Sequence, residues 1–254
     1  MDTATAWLSV GHEAPTESIR LFCLPYAGGD AWIFRNWQNL IRKGILVCPL
    51  HLPGRGKRIR EPAFNRVYEF VRAITASLSG YFSSPFAIFG HSLGSVLAYE
   101  IVRHLAAAGG PQPVHLFLSG QPVPTQGKQS TLPPTYLLPD EAFLTELENR
   151  YGAAPHNIRE NEELMKLILP ALRADMELYE TYVYKDAPPL SCPLAVFAGD
   201  DDGVILGKLK AWRHKTSGAF KLKTFPGGHF YLHEQENDLV HAIGTLLGGD
   251  RSNS

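Results

Sequence analysis

The segment Gly90-His91-Ser92-Leu93-Gly94 places a serine between two glycines in the G-x-S-x-G pattern. An apolar run, Phe86 to Phe89, stands directly before it, and a helix-like run, Val96 to Val102, directly after. A serine on so sharp a strand-to-helix turn needs glycine on both sides, because side chains there would meet the neighbouring elements. The turn also puts Ser92 at a helix N-terminus, where backbone N–H groups favour developing negative charge. Such a hydroxyl can attack a carbonyl only if a base takes its proton.

Ten histidines compete for that role, and position selects among them. Pro226-Gly227-Gly228-His229 follows the last expected strand and precedes the last expected helix, so His229 is the expected base. His91 is the rival by proximity, but as the neighbour of the nucleophile it should point away and pack beside the elbow. His51, His214 and His233 lack the strand-end placement and read as surface or structural. The acid should close the preceding strand, where Ala198-Gly199-Asp200-Asp201-Asp202-Gly203 offers three aspartates. A count of three from the glycine selects Asp202, with Asp201 second. The order Ser, Asp, His is that of an α/β-hydrolase. Backbone donors for the oxyanion are expected from Leu93 and from the Pro25-Tyr26-Ala27-Gly28-Gly29 loop, with Ala27 the leading choice.

The elements that must hold these residues are visible as short apolar runs: 21–24, 45–48, 86–89, 114–118 and 194–197, with an alternating sixth over 220–225. Continuous apolar runs suit strands buried on both faces of a parallel sheet. Helix-like segments near 31–43, 66–82, 94–108, 205–217 and 235–247 separate them, which predicts a mostly parallel, doubly wound sheet in a single domain over residues 1–254. The rhythm breaks over residues 122–189. There Asp140 can cap a helix carrying Phe143, Leu144 and Leu147, and Asn161 can cap another that Pro170 should kink or divide. A helical insertion between late strands sits over the end where open sheets bind ligands, so a lid is expected.

Composition sets the class. The chain has 254 residues, 44% hydrophobic and 19% charged, with a net charge of −1. It has no overall basic field for nucleic acid or an anionic membrane. Three cysteines without ligand spacing suit a reducing compartment and give no disulfide framework. With no signal-like N-terminus and no membrane-length apolar run, a cytoplasmic protein is expected.

These segments together resemble the type II thioesterases of nonribosomal peptide and polyketide synthases, which share a subfamily with the medium-chain thioesterase of animal fatty acid synthesis. The resemblance rests on Leu24-Pro25-Tyr26-Ala27-Gly28-Gly29, Leu52-Pro53-Gly54-Arg55-Gly56, Phe89 to Gly94, Ser119-Gly120 with Pro122 and Pro124, and Phe225 to Phe230, spread over about residues 19–247. Trp212 matches a tryptophan in the helix after the family's acid, and counting back from it again gives Asp202. Leu93 stands where many members have Met, and Gly203 where many have Pro. The resemblance implies hydrolysis of acyl groups from the phosphopantetheine arm of an acyl or peptidyl carrier protein, by a monomer that needs no metal or cofactor. A carboxylesterase or fatty acyl thioesterase with the same triad is the alternative, and a non-catalytic hydrolase-fold binding protein is disfavoured by the presence of both Ser92 and His229. Two basic clusters are candidate docking surfaces: Arg55, Lys57, Arg58 and Arg60, and Lys208, Lys210, Arg213 and Lys215.

Overall fold

The structure is a computed structural model that describes residues 6–8, 18–125, 133–152 and 161–248. Six strands form one sheet: β1 Ile19–Leu24, β2 Ile45–Pro49, β3 Phe86–His91, β4 His115–Ser119, β5 Leu194–Gly199 and β6 Phe220–Phe225. Their order is β2-β1-β3-β4-β5-β6, and all five pairings are parallel. The apolar runs over β1, β3, β4 and β5 become strands buried along their length, whereas the edges are β2, partly buried, and alternating β6, half-exposed. Alternate strand residues feed two apolar layers. Phe22, Leu24, Ile88, Leu116 and Val196 pack on one face, and Leu21, Cys23, Phe89, Phe117 and Phe197 on the other.

The helices are α1 Val67–Ser77, α2 Leu93–Ala107, α3 Asp140–Tyr151, α4 Glu162–Glu180, α5 Gly203–Leu209 and α6 Glu236–Gly248. Because every strand runs the same way, the loops after β1, β3, β5 and β6 all leave the same edge of the sheet. The chain winds outward from β1 to β2 and then resumes with β3 on the other side of β1. That reversal is where ligands settle in open sheets. The loop after β1 and the Ser92 turn after β3 flank it.

The expected helices are corrected in places, and the one expected over 205–217 is α5 followed by a 3₁₀ stretch, Lys210–Lys215. The helix expected over 31–43 is a 3₁₀ turn, Ala31–Phe34, followed by a single turn at Trp37–Leu40. The Gln38 side chain donates to the Ile45 carbonyl and accepts from the Val47 N–H, drawing the segment onto β2. Pro170 does not divide its helix: α4 runs on through it, with Pro170 exposed. Solvent can satisfy the carbonyl that a proline leaves without a donor.

Within the insertion, α3 and α4 share their own apolar cluster of Phe143, Leu144, Leu147, Leu169, Leu172 and Met176. Burying side chains such as Phe143 and Leu147 contributes about 1.5–3 kcal/mol each. Asn161 caps α4 by accepting from the Leu164 N–H, as expected. Asp140 instead lies inside the first turn of α3 after Pro139, and its carboxylate binds Arg173 of α4. The stretches 126–132 and 153–160 of the expected insertion lie outside the described residues.

Candidate active site

Ser92 is the only residue other than glycine with a positive φ among those described, at 54°. A serine held there costs about 1–3 kcal/mol, which the surrounding structure must offset. Part of the offset is the Ser92 N–H donating to the Ser119 carbonyl at 2.7 Å. A Cβ on Gly90 would lie 2.0 Å from the Gly94 carbonyl oxygen, and one on Gly94 would lie 2.4 Å from that of Leu24. The two glycines of the pattern thus let α2 fold back on β3 and crowd the end of β1. The close approach brings the loop after β1 beside the serine.

His229 leaves the end of β6. Its Nε2 is 3.0 Å from Ser92 Oγ, and its Nδ1 is 2.9 Å from Asp202 Oδ2. The three adjacent aspartates divide. Asp202 faces His229, with its side chain 11% exposed. Asp200 accepts from the Gly227 N–H at 2.9 Å and pins the histidine's loop. Asp201 is exposed, with its own N–H donating to the Gly227 carbonyl. Trp212 is fully buried, donates to the Gln121 carbonyl at 2.8 Å and packs edge-on against Tyr99.

His91 is fully buried, as expected of a packing residue, yet it lies against the site: its ring centroid is 5.2 Å from that of His229. Its Nδ1 is 2.8 Å from Ser119 Oγ, which in turn is 2.6 Å from the Tyr231 hydroxyl. Burial first, and then charge on His229 and His233, holds His91 well below the ordinary histidine value. The folded chain therefore keeps it neutral, while the unfolded chain takes up a proton below about pH 6.5. This contribution to stability is complete above that value and is lost as pH falls below it, by up to about 1.4 kcal/mol per pH unit. Thermal unfolding of His91→Gln should show a flatter decline between about pH 7 and pH 5 than the wild type. Parallel declines would contradict the assignment.

The serine opens into a cavity of about 480 Å³. Ser92, Leu93, His229, Tyr26 and Ala27 line it from the sheet edge, and Leu147, Tyr151, Leu172, Met176 and Tyr179 from the insertion. The Tyr151 ring lies 5.1 Å from that of His229. Of the apolar residues on α3, Leu147 reaches the cavity, while Phe143 is buried in the α3–α4 cluster. Sequence reasoning also missed His233. It lines the cavity, with Nε2 3.0 Å from the Tyr26 hydroxyl, and burial lowers its pKa. A position four residues beyond His229, on the helical turn Tyr231–Glu234, was the available signal. His51 is buried and His214 exposed, away from the cavity lining.

The first basic cluster divides, with Lys57 and Arg60 exposed and the other two engaged within the chain. Arg55 is buried against Asp175, and Arg58 pairs with Glu61 and lies over the Trp7 ring. In the second, Lys215 is paired with Asp186, while Lys208, Lys210 and Arg213 are exposed. The three cysteines are buried and free, and burial pushes Cys48 up to about 12 and Cys192 up to about 11. Among the described residues, no group of three or more His, Cys, Asp or Glu could hold a metal ion, and no helix is long and apolar enough to cross a membrane.

The family model of the thioesterase domain matches residues 19–247. Gramicidin S biosynthesis protein GrsT of Aneurinibacillus migulanus is 35% identical over 237 residues, covering 92% of this chain and 91% of GrsT. The solved structure of the type II thioesterase BorB from the borrelidin biosynthetic cluster superposes with a TM-score of 0.83 at 34% identity, covering 95% of this chain and 98% of BorB. ClbQ from the colibactin NRPS/PKS pathway gives a TM-score of 0.83 at 32% identity over 91% of this chain and 98% of ClbQ. The elbow, the lid and the extent of these matches lead to one conclusion: the chain belongs to the thioesterase family of the α/β-hydrolase superfamily, and within it to the type II thioesterases.

Proposed function

We propose that this thioesterase clears acyl groups from the phosphopantetheine arm of acyl or peptidyl carrier proteins in nonribosomal peptide or polyketide assembly, with Ser92 as nucleophile, His229 as base and Asp202 as the acid that orients it. The observation that carries the reading is the unbroken line Asp202–His229–Ser92, at 2.9 and 3.0 Å, opening into an apolar cavity under the lid. The biosynthetic settings of GrsT, BorB and ClbQ favour a carrier-bound substrate over a free ester.

In this reading Ser92 Oγ attacks the thioester carbonyl as its proton passes to His229 Nε2. The carbonyl oxygen becomes an oxyanion facing the N–H groups of Leu93 and Ala27. Leu93 is the first residue of α2, so its N–H has no acceptor within the helix. Each such donor is worth about a hundred- to a thousandfold in rate. The tetrahedral adduct then collapses, the C–S bond breaks and the thiol leaves with the proton from His229. A thiol has a pKa of about 8.5, so its departure needs less proton assistance than that of an amine. Water then enters, gives its proton to His229 and attacks the acyl-serine, releasing the acid and restoring Ser92.

The test is a panel in which one acyl group is offered on a carrier protein, on a small thiol and as an oxygen ester. Higher kcat/KM for the carrier-bound form supports the reading, and a preference for the free ester contradicts it. The lid should set which acyl groups enter. Met176→Ala, which enlarges the cavity, should shift the ratio of kcat/KM between long and short acyl chains by about tenfold toward the long. An unchanged ratio would confine Met176 to packing.

A further inference from the structure

The loop after β1 is gripped from behind by a buried ion pair. The Gly28 N–H donates to Asp175 Oδ2 at 2.7 Å. Arg55 closes on the same carboxylate with two prongs, Nη1 to Oδ2 at 2.5 Å and Nη2 to Oδ1 at 2.8 Å. The two side chains are only 9% and 5% exposed. Arg55 Nη1 also donates to the Gly29 carbonyl at 3.4 Å, and Nε to that of Pro53 at 3.4 Å. Asp175 belongs to α4 of the lid. One turn earlier on that helix, Leu172 Cδ1 lies where a Cβ on Gly28 would be 2.9 Å away, and Gly28 has a φ of 75°. Three separate segments, the loop after β1, the loop after β2 and the lid, therefore meet at one carboxylate.

These contacts bracket a single peptide. The Gly28 N–H is fixed by Asp175, the Gly29 carbonyl by Arg55, and the Gly29 N–H turns back to the Tyr26 carbonyl at 2.9 Å. The Tyr26 carbonyl shares its peptide with the Ala27 N–H, so that peptide is held directly by the Gly29 N–H and, one peptide further on, through the Gly28 N–H bound to Asp175. A buried carboxylate needs a paired charge to stay ionised. The planar, two-pronged guanidinium supplies that charge and fixes the carboxylate's orientation. Burial works against the Arg55 charge, but Asp175 outweighs it and the net effect raises the guanidinium's pKa.

We propose that Asp175, clamped by Arg55, is a positioning residue for the oxyanion-binding loop: it sets the Ala27 peptide through the Gly28 N–H and makes assembly of that donor depend on the seating of the lid helix. This inference rests on the proposed role of Ala27. A staple that only held the fold together would affect stability and leave the turnover of folded protein untouched.

Two double variants separate these roles. Arg55→Met/Asp175→Asn removes both charges and keeps an oxygen to accept from Gly28. Arg55→Met/Asp175→Leu removes both charges and that acceptor. Replacing a buried pair by apolar groups of similar size is often neutral for stability. On an acyl thioester of N-acetylcysteamine, the asparagine pair should keep kcat within about fivefold of wild type, while the leucine pair should lose about 10- to 100-fold in kcat with KM within about twofold. Equal kcat in the two pairs, a loss carried by KM alone, or a kcat loss matched by a fall in Tm would overturn the proposal. Should the leucine pair not fold, Arg55→Met/Asp175→Ala is read against the asparagine pair by the same criteria. Ser92→Ala measured alongside keeps the two readings apart. An active Ser92→Ala protein would sink the triad itself, whereas an inactive one with equal kcat in the two pairs would sink the positioning role alone.

Discussion

Ser92→Ala should lower kcat by about 10⁵- to 10⁶-fold while KM and the thermal midpoint stay close to wild type. The size follows from removing the proposed nucleophile, which in comparable constellations leaves the residual catalysis of binding and the oxyanion site. The fold should tolerate the change because alanine has the same Cβ as serine, so the 54° backbone at this turn is no more strained than before. Only the 3.0 Å contact to His229 is lost, worth about 1 kcal/mol at most. Steady-state turnover of an acyl thioester, with a melting curve on the same sample, checks both parts. Turnover within tenfold of wild type would mean that another group does the chemistry.

The second large effect separates neighbouring aspartates. Asp202→Asn should cost about 10⁴-fold in kcat, because an amide facing His229 Nδ1 can donate as well as accept and so permits the tautomer whose Nε2 already bears a proton. That nitrogen could not then receive the proton of Ser92. Asp201→Asn should stay within about twofold, since its side chain is exposed and the N–H it gives to the Gly227 carbonyl is untouched. His229→Ala should fall with Ser92→Ala, and the double variant should be no worse than either, as expected of groups that act as a unit. Reversal of the two aspartates would move the acid to Asp201.

What was legible in the sequence is what local rules govern. The elbow declared itself because Gly90 and Gly94 are both required by backbone crowding that any folded G-x-S-x-G turn must meet. The buried strands declared themselves as continuous apolar runs, and β6 as a strand by its alternation, whereas the edge positions of β2 and β6 came only from the topology. Asp202 and His229 stood out because each follows a strand end, and a parallel sheet brings strand ends to one side. The count of three from Gly199 matched the carboxylate that faces His229. Contacts between distant segments were not legible. Arg55 read as a surface cation because nothing nearby in sequence hints at a carboxylate 120 residues on. His233 read as peripheral because its partner, Tyr26, lies 207 residues away. Which lid residues meet the serine was not legible either, because it depends on how α4 is seated, and the Arg55–Asp175 bond that holds α4 to the loop after β2 spans distant segments.

The proposed chemistry rests on Ser92 as nucleophile, activated by His229. The most direct measurement is mass spectrometry of the protein after reaction with a fluorophosphonate, with the adduct mapped by peptide. One adduct per chain is expected, on Ser92, formed at least about a hundredfold more slowly in His229→Ala. An adduct on any other residue, or labelling of Ser92 at an unchanged rate without His229, would contradict it.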